Sequence, residues 1–255
     1  MATSLLERLT CEDRQVLLTV LTDGRDWEAL CEEVDGRPWR LVDLLAHPDL
    51  LDAVLDPRVG PGASVSPGLL FAVFVCHAAD ELRTAGHLTE WAGPRTRVPV
   101  FEVDEVREFL ESPGRILYLV DLLASFAEHG FVGDIDDLVA LAERAIDAPS
   151  WYRRLGDLLL FLAGVFPDRT LRRPYTPSEA EKLGRAAGMS AGEVLAVLAD
   201  APAGTISAVE TLGSRWYARA ATEGMAVMAD LAARFRPARR ILTHISDRHL
   251  YRIAA

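Results

Sequence analysis

Histidine and carboxylates at helical spacing are the first residues in this sequence that could do chemistry. His77 and Glu81 are four apart and His77 and Asp80 three apart, so a helix places all three on one face. That is spacing suited to metal ligands, although the order differs from the Glu-x-x-His of di-iron bundles. Asp121, Asp157 and Glu210 stand singly in other apolar stretches. Four helices each turning a carboxylate inward would hold a pair of iron or manganese ions. The same residues also fit ordinary amphipathic helices. Tyr118, Asp121, Ser125 and Glu128 fall on one stripe, and Asp157 is four residues from Arg153 and within its reach.

The second candidate is basic. Arg234, Arg236, Arg239 and Arg240 form the densest cationic cluster, suited to phosphates or an acidic partner surface. Internal pairing with the acidic body is the competing use. Arginine richness alone carries little weight, because the chain has one lysine, Lys182, one glutamine, Gln15, and no asparagine, the mark of GC-rich coding.

Other chemistries lack their signatures. There is no G-x-S-x-G, no P-loop and no strand-borne G-x-G-x-x-G. Cys76 and His77 are adjacent, and adjacent helical side chains point apart. Asp134, Asp136 and Asp137 lack the glycine and distal glutamate of a calcium loop and suit the cap and first turn of a helix. Cys11, Cys31 and Cys76 are odd in number and widely spaced, so neither a disulfide framework nor a zinc knuckle is expected.

The elements that must position these residues are helical. Fold class is expected to be all-α, an irregular multi-helix bundle of about 12–13 short helices. Apolar periodicity and caps place helices near 4–22, 25–34, 38–46, 48–55, 67–85, 103–111, 113–129, 135–147, 150–166, 177–187, 191–200, 206–234 and 237–250. Capping boxes are expected at Thr176…Glu179, Ser190…Glu193 and Ser207…Glu210, with Ser4…Glu7 a fourth. Ser66-Pro67, Ser112-Pro113 and Thr176-Pro177 each suit an N-cap followed by proline in the first turn. The one extended candidate is 97–101, whose Pro99 argues against a central strand. The long segment 206–234 is expected to kink or break near Gly213 or Gly224. Gly156 and Gly213 are expected at close helix crossings, with Asp157 and Arg215 as a pair between those helices.

Prolines and glycines in 57–67 read as a linker. They separate a small acidic helical subdomain, 1–56, from a main bundle, 64–255, expected to pack as one unit. Across all 255 residues, 27 basic side chains face 38 acidic ones, a net charge of −11. Arginines outnumber acids by eight to four over 201–255, so the rest is strongly acidic. Such a body disfavours nucleic acid and anionic membrane. The apolar runs near 69–76 and 158–166 are too short to span a bilayer, and the opening residues lack a signal-peptide pattern. A reducing cytoplasm is the expected compartment.

Five passages resemble, as a set, a largely actinobacterial family of uncharacterised, all-helical prokaryotic proteins. They are 65–71 (VSPGLLF), 97–101 (RVPVF), 118–126 (YLVDLLASF), 155–167 (LGDLLLFLAGVFP), and 239–242 with 246–250 (RRIL, SDRHL). The resemblance covers roughly 60–255, implies a helical fold, and carries over no activity and no catalytic residue. The expected function is therefore a helical binding or adaptor protein that takes a protein partner or small molecule in a groove between helices, with no cofactor. The alternative is a metal-dependent enzyme of di-iron or di-manganese type, with His77, Asp80, Glu81, Asp121, Asp157 and Glu210 as ligands.

Overall fold

The computed structural model describes residues 2–21, 26–55, 65–93, 96–128, 135–147, 150–167, 176–199, 204–222 and 226–250. These form fifteen α-helices, a two-stranded antiparallel ribbon and a closing π-helical turn. The all-α expectation holds. Two compact units emerge. One comprises Met1–Ala85 with Leu110–Phe131, the other Gly86–Phe109 with Val132–Ala255. That division differs from a cut at the 57–67 linker. The fourth and fifth helices pack on helices beyond the 57–67 segment.

In the first unit, α6 (Pro67–Thr84) packs along α8 (Pro113–Glu128). Their facing side chains, from Leu69 to Leu82 and from Ile116 to Ala124, are nearly all buried. Against this pair lie α4 (Pro38–Leu45) and α5 (Pro48–Leu55), and α2 (Cys11–Leu21) packs on α5. The remaining pair, α1 (Ala2–Arg8) and α3 (Trp27–Val34), pack together. Ser66 caps α6, its hydroxyl accepting from the Leu69 N–H at 3.2 Å, with Pro67 next as expected.

The expected single helix over 4–22 is two. Thr10 Oγ1 accepts from the Asp13 N–H and Asp13 Oδ2 accepts from the Thr10 N–H, a capping box that starts α2 afresh. Asp13 is fully buried, and its Oδ1 accepts from the Ser66 N–H at 2.8 Å, tying α2 to the start of α6. Helix α1 begins at Ala2, so Ser4 lies inside it rather than at its cap. Tyr118, assigned to a solvent stripe, is 3% exposed.

The second unit is built on α10 (Trp151–Val165), which packs against α9 (Ile135–Asp147), α13 (Gly204–Ala221) and α15 (Phe235–Ile245). Around these sit α11 (Pro177–Ala187), α12 (Ala191–Ala199) and α14 (Ala226–Ala233). Glycine sets the crossings. A methyl at Gly156 would lie 2.7 Å from Tyr217 Cε1, one at Gly164 2.5 Å from Leu242 Cβ, and one at Gly213 would overlap the Phe235 ring. The boxes at Thr176…Glu179 and Ser190…Glu193 both form. The box at Ser207 does not, because α13 begins at Gly204 and Ser207 lies within it. The segment expected to kink is two helices, α13 and α14, and Gly213 sits in an unbroken helix; Gly224 lies outside the described residues. Pro237 falls in the first turn of α15, where its missing N–H has no intrahelical partner to lose.

The ribbon pairs β1 (Leu88–Gly93) with β2 (Thr96–Val100), Thr89 opposite Pro99. Both strands of a two-stranded ribbon are edges, so Pro99 is accommodated. Its partner strand β1 was not anticipated. Helix α7 (Asp104–Leu110) follows, and β1 packs on α15.

Candidate functional site

The six carboxylate and histidine candidates fall in both units, four in the first and two in the second. In the first, the His77 ring is 9% exposed and its Nε2 donates to the His47 carbonyl at 3.0 Å, which fixes the proton on that nitrogen. Asp80 is exposed and faces Arg83 at 3.9 Å. Glu81 is half-buried. Asp121 pairs with Arg8 of α1. In the second unit, Asp157 Oδ1 accepts from the Tyr217 hydroxyl at 2.8 Å, and Arg153 lies 3.5 Å away. Tyr217, not Arg215, is thus the group that meets Asp157 from α13; Arg215 is exposed. Glu210 accepts from Arg239. Among the described residues, no three His, Cys, Asp or Glu side chains gather as a metal site would require.

Three of the four clustered arginines face this chain's own acids. Arg239 and Arg240 are each 3% exposed. Arg240 grips Glu90 of β1 with two nitrogens, Nε to Oε1 at 3.1 Å and Nη2 to Oε2 at 3.0 Å, and donates from Nη1 to the Glu102 carbonyl at 3.3 Å. Arg239 pairs with Glu90 as well, and its Nε reaches Glu210 at 2.8 Å. Burial alone would raise the Glu90 pKa. The Arg240 hydrogen bonds and the nearby Arg239 charge outweigh it and hold the carboxyl at about 2. Glu105 Oε2 also lies 3.9 Å from Arg240 Nη1, so the two buried cations face three acids and the junction is closed to further anions. Arg234 pairs with Asp230 and, at 2.6 Å, with Glu108, while Arg236 is exposed.

The first unit holds a different arrangement. A cleft of about 480 Å³ is lined by Leu6 and Glu7 of α1, Arg14 of α2, Trp27, Cys31, Glu32 and Val34 of α3, and Asp35 just beyond it. Leu6 and Val34 are buried and form its floor. Trp27, Cys31 and Arg14 are half-buried in its walls, and Glu7, Glu32 and Asp35 are exposed at its rim. Local sequence explains the display. Trp27, Cys31 and Val34 fall at i, i+4 and i+7 on one face of α3, whose start Asp26 caps through the Ala29 N–H at 2.9 Å. Arg14 follows the pinned Asp13, so its backbone is fixed.

The Arg14 guanidinium lies 5.0 Å from the Trp27 ring centre, within cation–π range. Its Nε is buried without a hydrogen-bond acceptor, and among the described residues no ion pair joins Arg14 to any of the three rim carboxylates. Burial raises the pKa of Cys31, Arg14 opposing and Glu28 assisting, so the wall thiol stays protonated. The cleft can therefore present a fixed fork of donors above an apolar floor, inside an acidic rim. None of its residues was singled out from sequence as a binding residue, Glu7 being read as part of a cap and Cys31 as an isolated thiol. The available signal was the Trp27–Cys31–Val34 face, but α1 and α2 complete the site from residues with no spacing relation to α3.

Comparison with family models, with curated proteins and with solved structures finds no match.

Proposed function

We propose that this protein is a helical binding module whose cleft between α1, α2 and α3 takes a small ligand. One observation carries the reading: a half-buried guanidinium, set against tryptophan and lacking a carboxylate partner among the described residues, faces a concave space of ligand size. Its buried Nε is a donor left without an acceptor, a cost that a bound acceptor would remove.

Cys31 provides the test. With Cys11, the exposed thiol, replaced by serine, Cys31 is the accessible reporter, read at alkaline pH because its own pKa is raised, while Cys76 is buried and its thiol is pushed far above the usual range by burial. The full chain is screened for thermal stabilisation by amino acids, peptides, nucleosides, sugars and carboxylic acids. Compounds that stabilise should slow alkylation of Cys31. Stabilisation with Cys31 alkylated at the unliganded rate would place binding elsewhere and overturn the reading. So would a folded protein that no compound in the panel stabilises.

A further inference from the structure

We infer that the cleft selects a zwitterion: an α-amino acid, or a short peptide, with an apolar side chain. The inference rests on the binding-module reading and names its ligand class. Arg14 offers hydrogen-bond donors and a positive charge from a half-buried position, which a carboxylate satisfies best. The rim opposes a simple anion, because Glu7, Glu32 and Asp35 put three negative charges around one guanidinium. A simple amine meets the opposite difficulty. It satisfies the rim but leaves Arg14 facing a cation, its buried Nε still without an acceptor. A ligand carrying both groups answers both demands, its carboxylate on Arg14 and its ammonium toward the rim. The floor of Leu6 and Val34, with the Trp27 face beside it, then covers an aliphatic or aromatic side chain.

The volume separates the two sources of this chemistry. At about 480 Å³ the cleft exceeds what a single amino acid fills, so a dipeptide is the better occupant. In a dipeptide the ammonium and carboxylate stand one residue further apart, matching a guanidinium in the wall and acids on the rim.

The experiment is calorimetric titration of the full chain with L-leucyl-L-phenylalanine, L-phenylalanine, 2-phenylethylamine and 3-phenylpropanoate. The zwitterions are expected to bind at least tenfold more tightly than either single-charge analogue, the dipeptide ahead of the amino acid. Arg14→Gln should reduce the zwitterions to the level of the amine and leave the amine unweakened. The Glu7→Gln, Glu32→Gln, Asp35→Asn triple variant should reduce them to the level of the phenylpropanoate. Every substituted side chain is exposed or half-buried, so unchanged melting temperatures are expected, and Arg14→Lys serves as a second, charge-retaining variant that should recover part of the loss. An amine or acid that binds within threefold of the zwitterions would overturn the inference. If that analogue protects Cys31 from alkylation, the binding-module reading stands without it. Probes that bind and leave Cys31 unprotected, or no binding by any of the four, would sink the inference, the first taking the binding-module reading with it.

Discussion

Arg14 and the pair Arg239–Arg240 are the same side chain under opposite treatment. In the second unit the guanidiniums are dry, and Glu90 and Glu210 meet them with short, directed bonds. In the first unit the guanidinium is half-wet, rests on an indole, and stands among three acids without an ion pair to any of them. A fully buried cation has to be neutralised within the chain, because removing its counter-charge leaves an uncompensated charge in a poor solvent for it. A half-buried cation is under no such compulsion. The contrast separates an arginine that holds the fold from one left available to something outside it.

The largest expected effect is at the closed junction. Glu90→Gln removes the shared counter-ion of two buried arginines and should cost about 3–5 kcal/mol in urea unfolding. A loss below about 1 kcal/mol would mean that water reaches the arginines. Next in size is Gly213→Ala. Its new methyl overlaps Phe235, and overpacking of this kind costs about 1–3 kcal/mol. Phe235→Leu in the same chain should recover part of it, whereas equal losses with and without the smaller partner would remove the crossing as the cause.

The acid limb gives a graded comparison. The Glu90 carboxyl titrates at about 2 when folded, against an ordinary value of 4.5. A lowered folded pKa contributes stability that is complete above about pH 4.5 and is lost as pH falls toward 2. Unfolding free energy should therefore decline across that window, and the decline should be shallower in Glu90→Gln. Parallel curves would contradict the assignment. The smallest effect belongs to Arg14→Gln. It breaks no ion pair among the described residues and should change unfolding by no more than about 0.5 kcal/mol. A loss comparable to that of Arg240→Gln would make Arg14 structural and erase the distinction.

Much of the fold was legible because helix signals are local. Thr176, Ser190 and Ser66 announce their helices through a hydroxyl and the next three residues, and Gly188 ends one in the left-handed conformation at φ 69°. Gly156 and Gly213 marked close crossings correctly, because a missing Cβ is useful only where another element approaches. The failures share a different cause. The Thr10–Asp13 box uses aspartate in place of glutamate, so one long helix was expected where there are two. Strand β1 has no pattern of its own and exists by pairing with β2. Glu90 consequently gave no hint that it closes the arginine junction. The cleft was illegible for the same reason, since Arg14, Trp27 and Glu7 are related by packing and by no spacing.

The boundaries of the two units carry a practical consequence. The polypeptide passes from one to the other after Ala85, back after Phe109, and across again after Phe131. No single scission yields either as an uninterrupted piece. An N-terminal deletion as far as 85 removes most of the first unit, and a C-terminal deletion back to 132 leaves the second with 86–109 alone, so a deletion series from either end breaks one unit before it reaches the other. Expressing the cleft-bearing half alone would require splicing 1–85 directly to 110–131 through a designed connector.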